Sequence, residues 1–502
     1  MARCSENAQR LFSGSSRTTE CSVDAARFDE ENEVTALTQT DIASLEAESG
    51  CLRASAVSAH DEHVGSTSSL RSEAIRASVW TIAGHGVSQV LRFGGSLVLT
   101  RLLYPEAFGV MALLGAFMYG LVMFSDVGIG PAIIRDRRGD DPAFVNTAWT
   151  IQVIRGFGLW VCCCLITLPV VHFFNLPELS HLLPIFGFVA VLNGFNASSV
   201  FAAKRHLHLG RLTALEIGSQ LIGLIVAVSW ALLSPSVWAL VGGPFASAVA
   251  YAFGSHVFLA GVAARFHWER QAASELFHFG KWIFLGSAVY FVAQQGDRLF
   301  LGHYVPVAVL GVYAIAANLA EVFETVAFKL SGTVLYPILA QTGRREPEKL
   351  RELYYRARRR LDIFVLGVGI LIATGPTVVN LLYDERYRQA GWILQLLAVR
   401  SATCCFNMPA ENCLVARGYP VYGFLRRLAL MVFVCVGLPI GWKLAGAAGA
   451  VWAVALAEIP GLLILWCGLA RHRVLSTAGE LRGLGYLAIG LLIGLIARGI
   501  GF

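Results

Sequence analysis

Trp80–Ala112 reads WTIAGHGVSQVLRFGGSLVLTRLLYPEAFGVMA, and 202 positions later Trp282–Ala314 reads WIFLGSAVYFVAQQGDRLFLGHYVPVAVLGVYA. Ten of the 33 aligned pairs are identical, where chance in so apolar a composition gives roughly two or three. The first six matches, at Trp80, Gly84, Val87, Val90, Gly94 and Leu97, are four, three, three, four and three residues apart. That spacing is one face of an α-helix. A duplicated helical unit of membrane length implies a two-lobed body of the kind secondary transporters use. Under the same offset Arg92 meets Gln294, while Asp297 and Arg298 meet Gly95 and Ser96. The duplication kept a packing face and let the charges diverge, so the expected body is a symmetric shell around an asymmetric cleft.

The composition agrees with that scale of burial in lipid. Of 502 residues, 56% are hydrophobic and only 15% charged, and the mean hydropathy is +0.60. Apolar runs at about 79–101, 107–130, 147–169, 182–203, 212–233, 237–260, 281–301, 307–330, 361–382, 389–416, 424–442 and 446–469 predict twelve membrane helices. A thirteenth run, 484–497, is short and spans only if Arg498 snorkels. The expected fold is therefore an all-α polytopic membrane protein of about twelve transmembrane helices, thirteen if the last run counts. Two parallel six-helix lobes, 71–270 and 271–470, would enclose a central cleft, followed by a C-terminal segment, 471–502. Residues 1–70 carry five Arg against twelve Asp and Glu, with two Phe and no Trp or Tyr. They read as a disordered acidic cytoplasmic tail or as an over-long gene start near Val64.

Loop charges orient the helices. Connections after the even-numbered runs hold 23 basic residues and the alternate connections only four, Arg101, Arg386, Arg388 and Lys443. Strict alternation of this kind places the basic set and the N-terminus in the cytoplasm. Six spans separate the two repeat copies, so both cross in one direction, as parallel repeats. The richest connection, Gln341–Arg360, reads as a basic surface helix that meets lipid headgroups.

Other function classes find little support. Eight of the eleven cysteines sit inside apolar runs, and no CxxC, HExxH or GxxxxGK[ST] occurs. The expectation is no metal, no cofactor, no enzyme activity and no nucleic-acid partner.

An ionisable residue at mid-bilayer costs at least ~2.5–3.5 kcal/mol on the translocon scale, so each needs a cavity, a partner or a role. Arg92 and Arg400 lie centrally in their runs, Arg155 about a third of the way into its own, and Arg298 near the end of the seventh. Guanidinium groups bind phosphate through forked, charge-assisted hydrogen bonds, which makes these four arginines candidate anion ligands. Asp297, Glu321, Glu324 and Glu411 are candidate carriers of a coupling cation or proton, and Glu216 and Glu458 are further buried acids. Internal pairing, such as Arg400 or Arg92 with Glu321, explains the same charges structurally.

Residues 99–135 read LTRLLYPEAFGVMALLGAFMYGLVMFSDVGIGPAIIR. The Pro105–Gly109 turn and the Asp126–Arg135 helix end resemble the opening of Wzx-type polysaccharide flippases of the multidrug/oligosaccharidyl-lipid/polysaccharide exporter superfamily. Asp297–Gly302, Leu310–Tyr313, Leu335–Pro337 and Ala416–Gly418 are similar to later elements of that family, over about residues 72–470. The resemblance implies movement of polyprenyl-pyrophosphate-linked oligosaccharide units between leaflets for exopolysaccharide, capsule or O-antigen assembly. It also implies an ion- or proton-coupled, ATP-independent mechanism, with membrane lipid, a polymerase and other polysaccharide assembly proteins as partners. It does not say which residues hold the substrate.

Three alternatives stay open. A multidrug exporter of the same superfamily would favour acids over arginines in its cleft. A major-facilitator-like carrier shares the parallel layout, but RDRRGDD at 135–141 only superficially evokes its loop signature. A non-transporting scaffold would lack buried charge.

Overall fold

Backbone N–H and C=O groups find no partner in lipid, so a spanning chain satisfies them within helices, and in the computed structural model the described residues of the expected apolar runs are helical apart from short breaks such as 195–198. The structure describes Trp80 and residues 83–500 apart from 126–128, 130–132, 134–137, 140, 206–208, 260–263 and 346–348; side chains at 271–286, 333–334 and 342–345 are likewise not described. The acidic tail and most of the Asp126–Arg135 motif lie outside the described residues.

The first half contains α1 (83–102), α2 (Pro105–Phe124), α3 (Pro142–Phe174), α4 (Leu179–Gly194), the short α5 (Ser199–Arg205), α6 (Leu209–Leu233) and α7 (Val237–Phe258). The second half contains α8 (Arg270–Tyr304), α9 (Val307–Leu330), α10 (Tyr336–Arg345), α11 (Leu350–Leu382), α12 (Ala390–Ala416), α13 (Val421–Leu456), α14 (Ile459–Arg471) and α15 (Thr477–Gly499). Eight of the described helical stretches are individually long and apolar enough to cross a bilayer, nine if α4 and α5, bent by 60°, count as one. Helices α8 and α12 are not among them, and they carry Asp297, Arg298, Arg400 and Glu411.

Local chemistry sets the helix ends. Asp141 caps α3, accepting from the Ala143 N–H at 3.1 Å, with Pro142 in the first turn, where its missing N–H costs nothing. Gly418, at φ +88°, stops α12 in the left-handed region, and the Tyr419 N–H closes back on the Leu414 carbonyl at 2.9 Å. Helix α13 breaks at Ala445–Gly446, where Gly446 has φ +57°. Across that break Gly441 and Gly449 leave no room for a Cβ against each other's carbonyl oxygen, so the chain doubles back as two expected runs rather than one.

The repeat is visible in how the halves meet. Gly109 on α2 faces the Val307 carbonyl with no space for a Cβ, and Gly311 on α9 faces the Pro105 carbonyl in the same way. Residues 105 and 109 map onto 307 and 311 under the 202-residue offset. The α2–α9 crossing is thus a reciprocal contact about a pseudo-two-fold axis, and the glycines preserved in the repeat allow it. Tyr387 adds a hydrogen bond to the Leu103 carbonyl at 3.2 Å, and Arg386 lies over the Tyr104 ring at 5.0 Å. The halves are closed against one another on the face away from the basic loops.

Two expectations change. The short run 484–497 is the core of a 23-residue helix, α15, whose Gly479, Gly483, Gly490 and Gly494 form one stripe against α11 and the Phe406 ring of α12. Gly490 abuts the Leu366 carbonyl and Gly494 abuts Ala373. Small residues bring the backbones together where apolar length alone gave a marginal span. The stretch 341–360 is not one surface helix: α10 ends at Arg345, and from Leu350 the chain is already α11. Arg358, counted among the loop cations, is 1% exposed and donates to Glu480 at 2.5 Å.

The connection between the halves is strapped to α3. Backbone N–H groups of Arg265, His267 and Glu269 donate to Asn146, Thr150 and Thr147 at 3.0–3.1 Å. Arg138 bridges Asp141 at 2.9 Å and Glu269 at 2.7 Å. That hydrogen bond holds the Asp141 carboxyl below the usual carboxylate range.

Candidate functional site

Among the described residues, charge within the long helices gathers chiefly at the contact of α8 with α9 and in the interior of the second half. Glu321 lies fourteen residues into α9, about 21 Å along it at 1.5 Å per residue, yet its side chain is 41% exposed. Exposure of a carboxylate at mid-span requires open space beside it. Its partner is Arg298 of α8, 19% exposed, whose Nη2 donates to Glu321 Oε1 at 2.9 Å. Arg298 Nη1 donates to Gln295 Oε1 at 3.1 Å. Beneath them Asp297, buried, accepts the Arg298 backbone N–H at 2.8 Å and the Tyr313 hydroxyl. Helix α8 continues to Tyr304, so this group lies inside the helix rather than at its end.

On the side of the first half, α2 packs directly on α8. Arg92 is exposed, as are Val87, Val90 and Val98. At 100° per residue those valines occupy one side of α1 and Arg92 the other. The valines meet lipid, and Arg92 points to the inner side, sharing that stripe with His85. His85 senses both Arg92 and Lys329 of α9 electrostatically, so cations from the two halves converge there. On α2, Tyr119 lies beside Tyr290 of α8 and also feels Arg298. Phe124 packs edge-on to Phe291 at 5.3 Å.

The interior of the second half is a compensated network. Arg400, 9% exposed on α12, lies in the field of Glu324, Asp297 and Glu458. Glu324 accepts from Ser401 at 2.7 Å. Arg426 bridges Glu411 at 2.9 Å and Glu458 at 2.8 Å, Arg427 meets Glu411 at 2.8 Å, and Asn407 donates to Glu458 at 2.8 Å. Arg426 and Arg427, counted as loop cations from the sequence, fall within α13.

Of the residues singled out from the sequence, Arg298 and Glu321 pair between α8 and α9, and Arg92 lies on the inner side of α1. Arg400, Glu324 and Glu411 are drawn into the network behind that pair, with Asp297 buried between the two. Neither pairing anticipated for Glu321 forms; Arg298 takes it. Arg155 sits apart, capping the end of α2 through Ser125 Oγ at 2.9 Å and the Val122 carbonyl at 3.4 Å. It lines a pocket formed by residues of the first half alone. Tyr119, Tyr290 and Lys329 were not anticipated; a tyrosine amid an apolar run was the available signal. Guanidinium groups bind anions through charge-assisted hydrogen bonds, and here Glu321 supplies the internal counter-charge of Arg298.

Comparison with known proteins comes to the same body. A family model described as "Polysaccharide biosynthesis protein" matches residues 98–391. The chain is 21% identical over 323 residues to a protein of Rhizobium meliloti (strain 1021) named succinoglycan biosynthesis transport protein ExoT. That match covers 64% of each chain, so just under two thirds of the relative is spanned. An uncharacterized membrane protein in the cps region of Klebsiella pneumoniae is 20% identical, over 70% of this chain and 72% of that one. Among solved structures, the lipid II flippase MurJ in an inward closed conformation superposes with TM-score 0.64 and 11% identity, covering 85% of this chain and 93% of that one. An inward-facing multidrug resistance MATE family transporter of the MOP superfamily gives 0.58 and 15%, covering 79% and 95%. The fold is that of these flippase and exporter structures, which leaves the major-facilitator-like layout unsupported.

Proposed function

The chain belongs to the polysaccharide biosynthesis protein family, and on that premise we propose that it flips polyprenyl-pyrophosphate-linked oligosaccharide units across the bacterial inner membrane. Movement follows ATP-independent alternating access, the halves rocking about the α2–α9 crossing. The substrate enters from the cytoplasmic face, where the basic loops lie. Arg92 and Arg298 hold the pyrophosphate, and Lys329 raises the positive potential at the mouth. Arg400 and Arg155 act behind this line, the first setting the charge of the acid network and the second bracing α2. Glu321, Glu324, Asp297 and Glu411 carry the coupling ion or proton.

The observation that carries this reading is the partly exposed Arg298–Glu321 pair at mid-span. A pyrophosphate displaces Glu321 from Arg298 on arrival, the freed carboxylate takes up the coupling cation or proton, and the pair re-forms when both leave. Charge-assisted hydrogen bonds contribute about 1.5–3 kcal/mol each. Arg92→Ala or Arg298→Ala therefore reduces polymer export by one to two orders of magnitude in a strain lacking the native gene, with normal membrane insertion. Wild-type export from both variants would remove them from the mechanism.

A second reading, export of organic cations, draws on the exposed Glu321 carboxylate. It predicts that expression raises tolerance to cationic dyes and that Glu321→Gln abolishes this while leaving polymer unaffected.

A further inference from the structure

Helix α8 carries a second surface, on the side away from Arg298, that the transport reading does not use. Val292, Gly296, Leu299, Phe300, His303 and Tyr304 fall at i, i+4, i+7, i+8, i+11 and i+12, one stripe of the helix. That stripe is the floor of a groove of about 780 Å³. Side chains of α2 and of the end of α3 wall it on one side and those of α13 on the other, so the groove continues the contact between the two halves. Phe173 on the first wall and Cys435 on the second are exposed, which opens the groove sideways to lipid.

The lining selects the occupant. Among the described residues, no charged side chain lines the groove, and apart from the Cys435 thiol its polar side-chain groups gather at one end, on His303 and Tyr304. His303 Nδ1–H donates at 2.9 Å to the Phe173 carbonyl, one of the last four of α3 and without a partner inside that helix. The two rings stack at 4.3 Å, closing that end of the groove across the halves. Tyr304 leans on Trp442 of α13 at 5.2 Å, and tyrosine and tryptophan gather where hydrocarbon meets headgroups.

Depth and size narrow it further. From Val292 to Tyr304 the groove follows α8 for about 18 Å, against ~15 Å for one leaflet of a ~30 Å hydrocarbon core. It therefore runs from mid-bilayer to the boundary on the face away from the basic loops. At ~30 Å³ for each water-sized volume, its space suits roughly 26 heavy atoms. That is one acyl chain with its glycerol ester, and too little for both chains of a phospholipid.

The geometry points to a binding site for one acyl chain of a phospholipid in the leaflet away from the basic loops, with its glycerol ester at His303 and Tyr304. The site needs only that the protein lies in a bilayer, so it stands or falls separately from the transport reading.

The full-length protein is purified in mild detergent with prolonged washing, and retained lipid is counted by native mass spectrometry and identified after release. Wild type retains a single phospholipid. Cys435→Phe, at an exposed position on the groove wall, fills the space and loses that lipid. Cys467→Phe, at an exposed cysteine of α14 outside the groove, keeps it. A second measurement needs no substitution: in phosphatidylethanolamine vesicles, phosphatidylglycerol with a diazirine in one acyl chain labels the α8 segment Val292–Tyr304 in preference to the exposed Leu492–Ile496 segment of α15. Retention of the lipid by Cys435→Phe, or equal labelling of α8 and α15, overturns the site. Release of a free fatty acid or a prenyl lipid in place of a phospholipid overturns the assignment of the occupant.

Discussion

Replacing Arg358 by Met removes the cation that bridges the buried Asp362 and Glu480 and so tests how the last helix is held. Arg358, 1% exposed, donates to Glu480 at 2.5 Å and to the Tyr354 hydroxyl at 2.9 Å, and it lies 3.7 Å from Asp362. Its guanidinium also sits over the Phe406 ring at 5.1 Å. Stripping one partner from a buried pair costs about 3–5 kcal/mol, because the carboxylates stay buried without compensation. Glu480→Gln leaves the cation with Asp362 and the tyrosine, so it costs less, about 1.5–3 kcal/mol. The exposed Arg356–Glu352 pair, with side chains 65% and 72% exposed, is worth at most a few tenths. The geometry is imperfect, since Arg358 Nη2 and Glu480 Oε2 are buried without partners. An apolar trio, Arg358→Met with Asp362→Leu and Glu480→Met, should therefore be more stable than Arg358→Met alone. Thermal loss of the monodisperse peak in detergent reads the order: Glu352→Ala least affected, then Glu480→Gln, then Arg358→Met. Arg358→Met as stable as Glu352→Ala would refute the view that this trio docks α15.

The other predictions concern separate elements. Gly490→Ala on α15 places a Cβ against the Leu366 carbonyl and should destabilise by about 1–3 kcal/mol, whereas Gly485→Ala meets open space and should be neutral in the same thermal assay. The folded-state value of Asp141 is held down by Arg138, so its stabilising share is present above the unfolded value near ~3.9 and disappears as pH falls through the folded one. Asp141→Asn should therefore flatten the acid limb of a proteolysis-versus-pH profile below about pH 4, and an unchanged limb would contradict the pairing. Thr150→Val cuts one hydrogen bond of the strap between the halves, and protease nicking near His267 should rise while the helices stay intact.

The repeat made the body legible: an apolar face repeated 202 residues apart implied paired halves, and Gly109 with Gly311 proved to be the reciprocal crossing. Apolar length placed nearly every long helix. What escaped was chemistry that depends on neighbours distant in the chain. The docking of α15 rests on a glycine stripe facing α11, and glycines add little to a hydropathy window. Arg358 and Arg426 sit in basic stretches and read as loop cations, because Glu480, Glu411 and Glu458, which neutralise them, come from other helices. The same limit applied in the cleft. Arg92, Arg298 and Glu321 were legible as mid-span charges, but which acid met which arginine required the α8–α9 register. The roles of Tyr119 and Tyr290 required the approach of α2 to α8.

The central claim is that positive charge in the cleft carries a pyrophosphate across the bilayer. Its most direct measurement is flipping by the purified protein in sealed vesicles without ATP, comparing a pyrophosphate-linked prenyl glycan with a neutral glycolipid of matched length. Wild type should flip the pyrophosphate lipid selectively, and Arg92→Ala with Arg298→Ala should reduce that rate towards the protein-free background. Equal transport of both lipids, unaffected by the two substitutions, would contradict the account.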